Sequence, residues 1–162
     1  MEYVLPQSID EALSILNSHP NPAVFAGATD IIPQFRGGMP EPGLLVDLKN
    51  IPSLVDLGFS NGTWKIGAAT PVARIKNNTK LTKDFPGLSE ASALIGSDQI
   101  QNRASLGGNV CTASPGADTV PSLMVNEALA VIAANDGSRT IPVNQVITGP
   151  GTTSLGTGEF II

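Results

Sequence analysis

Two short stretches hold the residues whose types and spacing could do chemistry. The first is Ala26-Gly27-Ala28-Thr29-Asp30, directly after the apolar run Ala23-Val24-Phe25. The second is Ser105-Leu106-Gly107-Gly108-Asn109, which follows the polar stretch Gln99 to Arg103. Glycine permits positive φ and close backbone approach, so consecutive N–H groups can converge on an oxyanion. Thr29, Ser105 and Asn109 add neutral hydrogen-bonding groups beside that backbone. A dinucleotide diphosphate clamped between two such turns is the ligand this chemistry suits, and a helix N-terminus behind either turn would strengthen the hold. On spacing alone, a plain connecting turn in each case is about as well supported.

The rest of the composition narrows the field. Nine Lys and Arg stand against 14 Asp and Glu, a formal charge of −5, which argues against a nucleic-acid surface. A phosphate bound by such a chain must lean on backbone N–H groups more than on cations. One cysteine, Cys111, cannot form an internal disulfide, and one histidine, His19, argues against a histidine metal site. The thiol is expected to serve as a small buried hydrophobe. Neither a signal peptide nor an apolar run long enough to span a bilayer is visible, so a cytoplasmic protein without membrane insertion is expected.

The elements that must position the two stretches are readable in outline. Ser8-Ile9-Asp10-Glu11 is a capping box opening a helix with an apolar stripe at Ile9, Ala12, Leu13, Ile15 and Leu16. Residues 23–26 and 44–48 read as strands, with a short helix between them running through Phe35. Segments 54–59 and 63–68 read as a hairpin about Asn61-Gly62. A polar break at Lys76 to Lys83 then separates a first α/β lobe, 1–75, from a second α+β lobe, 76–162. In the second lobe a helix is expected near Leu88–Ile95, a glycine turn at 105–109 and another helix at about 118–128. A hairpin of 129–134 with 139–143 follows.

Familiar nucleotide and hydrolase signatures are missing. There is no Gly-x-Gly-x-x-Gly after a strand, no P-loop and no Gly-x-Ser-x-Gly. What the chain does resemble is the FAD-binding medium subunit of molybdenum hydroxylases, the family of xanthine dehydrogenase and carbon monoxide dehydrogenase. The resemblance is carried by Ala26-Gly27-Ala28-Thr29-Asp30, by Gln101-Asn102-Arg103-Ala104 running into Ser105-Leu106-Gly107-Gly108-Asn109, and by Thr112-Ala113-Ser114-Pro115-Gly116-Ala117-Asp118. Thr148-Gly149-Pro150-Gly151 adds to it.

That resemblance implies an α+β, two-lobed FAD-binding fold of the vanillyl-alcohol oxidase type. It implies FAD as the cofactor, with the backbone of Ala26 to Asp30 and the segment Ser105, Leu106, Gly107, Gly108 and Asn109 on its diphosphate. Ser114 and Asp118 are implied to face the nucleotide, Asp118 through a hydroxyl. Thr70 is implied to lie near the flavin ring and Ile95 against the cofactor. No catalytic residue and no metal ligand is implied in this chain. The molybdenum cofactor and 2Fe-2S clusters are expected in a large and a small partner subunit, with NAD or another acceptor taking the electrons. A free-standing flavin oxidase or reductase of the same fold, or a fragment that no longer holds flavin, are the alternatives. The sequence departs from the family pattern at Thr152, where a lysine is frequent, and at Val146-Ile147, where an aromatic pair is common. Family members continue into a C-terminal domain, whereas this sequence stops at Phe160-Ile161-Ile162, so that domain is expected to be absent.

Overall fold

The computed structural model describes all 162 residues. Glu2–Val4 (β1), Pro22–Phe25 (β2) and Leu44–Asp47 (β3) form a parallel sheet in the order β1-β3-β2. Helix α1, Ile9–Ser18, connects β1 to β2, and α2, Ile31–Arg36, connects β2 to β3. β3 is central and buried along its whole length, as Leu-Leu-Val-Asp between two parallel neighbours should be. The capping box behaves as the sequence implies: Glu11 N donates to Ser8 Oγ (3.1 Å), while the Glu11 carboxylate accepts from Gln7 N (2.7 Å).

Leu57–Ser60 (β4) and Thr63–Ile66 (β5) make the expected hairpin, with Asn61 and Gly62 both at positive φ, 49° and 77°. The segment expected to be a polar break is helical instead. Val72–Lys76 (α3) and Thr79–Asp84 (α4) bury Ile75 and Leu81 completely, and Asn78 caps α4 by accepting from Leu81 N (2.9 Å). Val72, Ala73, Ile75 and Leu81 are all buried in these short helices, which pack on Pro86–Leu94 (α5) although polar residues dominate the run 76–83. Asp98–Gln101 (α6), Leu106–Thr112 (α7) and Thr119–Val125 (α8) follow. Leu129–Ala134 (β6) and Gly137–Pro142 (β7) form the second expected hairpin, and Phe160–Ile161 (β10) returns antiparallel to β6. Ile147–Gly149 (β8) and Thr152–Thr153 (β9) make a small separate ribbon.

The strands β6 and β10 divide the apolar interior. Side chains alternate across a strand, and here Ile132 and Ile161 join one cluster with Leu106, Val110, Val120 and Leu123. Their neighbours Ala133 and Phe160 join the other, with Leu13, Leu44 and Val46. Ala68 and Ala69 split in the same way. The chain just before them is tight: a Cβ on Gly67 would run into the Leu54 carbonyl and Ser53 O.

Arg139 pins the closing segment. Its Nε and Nη2 donate to Glu159 Oε1 (3.0 Å) and Oε2 (2.7 Å), and Gly156 N donates to the same carboxylate (2.7 Å). The Arg139 guanidinium first, then the Gly156 N–H, hold the Glu159 carboxyl down at about 2.

Two outcomes follow. Gly67→Ala should cost about 1–3 kcal/mol in urea unfolding, because the obstacle is backbone. Gly116→Ala, whose Cβ would meet nothing nearer than Ser114 Oγ at 3.9 Å, should cost far less. Glu159 is depressed in the folded state, so its stabilisation is complete above the unfolded value of about 4.3 and drains away as pH falls towards about 2. Glu159→Gln should therefore flatten the stability-versus-pH curve across that acid window; an unchanged slope there contradicts the assignment.

Candidate functional site

The chain leaves β2 at Phe25, passes through Ala28 in the left-handed region (φ 61°) and enters α2 at Ile31. Holding an alanine there costs roughly 1–2 kcal/mol, the kind of strain that collects at functional sites. No N–H from Ala26 to Asp30 donates to any group of the protein, although other turn donors find carbonyl partners. Ala26 to Thr29 are half-buried and Asp30 is exposed. Buried backbone donors are nearly always paired with protein or water, and this half-buried row, unpaired within the protein, has hydrogen-bonding capacity to spare.

The second stretch is built differently. Ser105 is the N-cap of α7, its Oγ accepting from Gly108 N (3.1 Å), so residues 105–109 open a helix rather than forming a free turn. The N–H groups there are consumed internally. Leu106 N donates to Thr70 O (3.3 Å), Gly107 N to Ala68 O (2.8 Å) and Asn109 N to Ser105 O (3.0 Å). Gly107 is a packing glycine, since a Cβ on it would stand 2.7 Å from the Ala68 Cβ. Gly108 remains exposed at the surface of the first turn.

The structure brings the two stretches together. A Cβ on Gly27 would lie 2.5 Å from Arg103 O and 3.0 Å from the Ala104 Cα, so the first turn rests directly on the backbone leading into α7. A second tie joins the helices themselves: Thr112 Oγ1 lies 3.0 Å from Asp30 Oδ2 and 2.9 Å from Gly108 O.

Asp118 stands at the N-cap position of α8 but caps nothing. Its dihedrals are already helical (φ −62°, ψ −41°) and its exposed carboxylate makes no hydrogen bond to the helix. The cap comes from another helix: Asn109 Oδ1 accepts from Thr119 N (3.2 Å) and from the fully buried Thr119 Oγ1 (2.6 Å). Asn109 thus fastens α8 to α7 and leaves Asp118 unengaged. Ser114 is exposed and accepts from Gly116 N (3.2 Å). Thr70 is fully buried, its hydroxyl donating to Asp56 O (3.0 Å). Ile95 is half-buried at the end of α5. Thr152 is exposed on β9, and Gly151 N beside it donates to Ala113 O (2.9 Å) at the end of α7. Cys111 is exposed on α7 rather than buried as expected, yet desolvation by the surrounding protein pushes its thiol up to about 11.

Nothing local in the sequence marks the Asn109–Thr119 cap or the Thr112–Asp30 tie. The one available cue is that Asn109 and Thr112 are polar residues three positions apart, which on a helix places them one turn from each other.

Known proteins resemble this chain along its whole length. A family model described as the FAD binding domain in molybdopterin dehydrogenase matches residues 1–162. The chain belongs to that family. It is 31% identical over 162 residues to the 6-hydroxypseudooxynicotine dehydrogenase complex subunit alpha of Paenarthrobacter nicotinovorans, covering 99% of this chain and 55% of that protein. It is 29% identical to the carbon monoxide dehydrogenase medium chain of Hydrogenophaga pseudoflava, covering 99% and 56%. Among solved structures, quinoline 2-oxidoreductase from Pseudomonas putida 86 superposes with a TM-score of 0.95 at 27% identity, covering 99% of this chain and 56% of that one. The chain therefore spans about half the length of the relatives it matches. As in the rest of its family, its cofactor is FAD. No helix is long and apolar enough to cross a membrane.

The Asn109 cap yields a direct expectation. Asn109→Ala leaves two donors of the fully buried Thr119 without their acceptor and should cost about 1–3 kcal/mol in urea unfolding. A loss within experimental error would mean that the cap carries no weight.

Proposed function

We propose that the backbone N–H groups of Ala26 to Asp30 receive the FAD diphosphate, with the Thr29 hydroxyl beside them. The start of α7, Ser105 to Asn109, forms the opposite wall. Its own donors are largely engaged, so Gly107 and Gly108 contribute by keeping that wall low enough for close approach. Ser114 and Asp118 face the nucleotide, Asp118 accepting from a ribose or ribityl hydroxyl. The observation that carries this reading is the row of unpartnered N–H groups in Ala26–Asp30, held against Arg103–Ala104. In a chain of charge −5, such a row supplies what few side chains can, neutral donors for a doubly charged group.

Residues 1–75 and 76–162 act as two lobes that share the cofactor. Bound FAD supplies the redox chemistry, receiving electrons from iron–sulfur clusters and passing them to NAD or another acceptor. The chain itself binds and orients, and no residue in it is required as a general base. The larger assembly is an oxidoreductase: a molybdenum-cofactor subunit hydroxylates the substrate with water, and a 2Fe-2S subunit relays the electrons. The names of relatives support this reading, being those of a medium chain and of one subunit of a dehydrogenase complex. A cytoplasmic location is part of the same proposal.

Titration with FAD, followed by flavin fluorescence, should show one FAD bound per chain. Asp118→Ala should weaken binding roughly tenfold, as loss of a hydrogen bond to a charged group does, while leaving the urea midpoint in place. A wild-type protein that binds no FAD refutes the proposal; an Asp118→Ala protein that binds as wild type removes Asp118 from the site.

A further inference from the structure

The Arg103 carbonyl that meets Gly27 is gripped from a second side. Lys49, in the single turn of 3-10 helix after β3, extends its ammonium across 54 residues of sequence and donates to Arg103 O (2.7 Å). Lys49 is itself fixed at its base, because its N–H donates to Asp47 Oδ1 (2.9 Å). The other oxygen of Asp47 accepts from the Tyr3 hydroxyl (2.8 Å), which ties β1 into the same cluster. On the far side, Ala104 O accepts from Val72 N (3.0 Å). The segment 103–104 is thus held between Gly27, Lys49 and Val72 immediately before it becomes the wall of α7.

We propose that Lys49 is a positioning residue for the cofactor cradle: its ammonium, on the Arg103 carbonyl, sets the spacing between the N–H row of Ala26–Asp30 and the start of α7. The proposal rests on the cofactor assignment above. Lys49 does not touch FAD; it determines how far apart the two walls stand.

Burial makes the charge of this lysine costly. Desolvation first, then the charge of Arg103, push the Lys49 ammonium down from 10.5 to about 8, with Asp47 opposing them. The charged groups around it are those two, with Tyr3 attached through Asp47. Because the folded value lies below the free one, the unfolded chain holds more protons between about 8 and about 10.4. The charge on Lys49 therefore opposes folding below pH 8, and that opposition fades as pH rises through this window. A residue whose charge works against the fold, yet whose ammonium reaches across the molecule to one carbonyl beside the site, fits a role in placing that carbonyl.

The test uses the full protein with Lys49→Met and Lys49→Arg, FAD titration by flavin fluorescence, and urea unfolding at pH 7. Lys49→Met should bind FAD about tenfold more weakly, as expected for losing a charge-assisted hydrogen bond, with a urea midpoint equal to or above wild type. Lys49→Arg, which can still donate to the carbonyl, should regain most of the affinity. Wild-type affinity in Lys49→Met overturns the proposal. So does a parallel fall in affinity and midpoint that Lys49→Arg does not restore, since that marks a merely structural residue. If the wild-type protein binds no FAD, the cofactor assignment fails first and this inference with it.

Discussion

The structure depends on one backbone-on-backbone contact, that of Gly27 with Arg103 and Ala104. No side chain fits at Gly27 without pushing against main chain, which cannot yield as a flexible side chain can. The consequence is geometric. The turn after β2 and the segment before α7 come from distant parts of the sequence, yet they form one surface. Everything nearby serves to keep that surface in register: the Lys49 ammonium on the Arg103 carbonyl, Val72 N on Ala104 O, and Thr112 beside Asp30. Each is a modest tie by itself, about 1 kcal/mol for a neutral hydrogen bond and somewhat more for the charge-assisted one from Lys49. Together they restrict the same few residues from several sides.

A second layer of order supports the first. The β6 and β10 strands present alternate side chains to two apolar clusters, so the parallel sheet with α1 and the helices α3, α4, α5, α7 and α8 share one dividing wall. Movement of one cluster against the other would have to disturb Ile132 and Ala133, or Phe160 and Ile161, at once. The Arg139–Glu159 pair, bidentate and reinforced by Gly156 N, fixes where β10 returns to that wall. The turn after β2 and the start of α7 thus rest on clusters that meet at one shared wall.

Much of this was legible in the residues, and the limits are instructive. Local signals translated well: the Ser8–Glu11 box began α1, Asn61-Gly62 made its hairpin, and 129–142 folded back on itself. Pairings with distant partners were invisible. β1 is three residues whose partner, β3, lies some 40 positions on, and nothing local marks it. The run from Lys76 to Lys83 reads as a break because Leu81 is the one buried residue within it, and the rest of the apolar anchor, Val72, Ala73 and Ile75, lies just before it. Both glycine stretches were visible, but not the difference between them. The carbonyls of Ala68 and Thr70 decide that the α7 donors are engaged, whereas no carbonyl reaches Ala26 to Asp30. That distinction is a matter of hydrogen-bond accounting in three dimensions, to which spacing is blind.

The claim that FAD is held through the free N–H groups of Ala26–Asp30 is tested most directly by backbone amide NMR. Spectra of the 15N-labelled protein with and without FAD report each donor separately. The amides of Gly27 to Asp30 are expected to show the largest downfield shifts on binding, as unpartnered donors acquire a charged acceptor, with smaller changes at Leu106, Gly107 and Asn109. Saturating FAD that leaves the 27–30 amides in place while moving others would contradict the account.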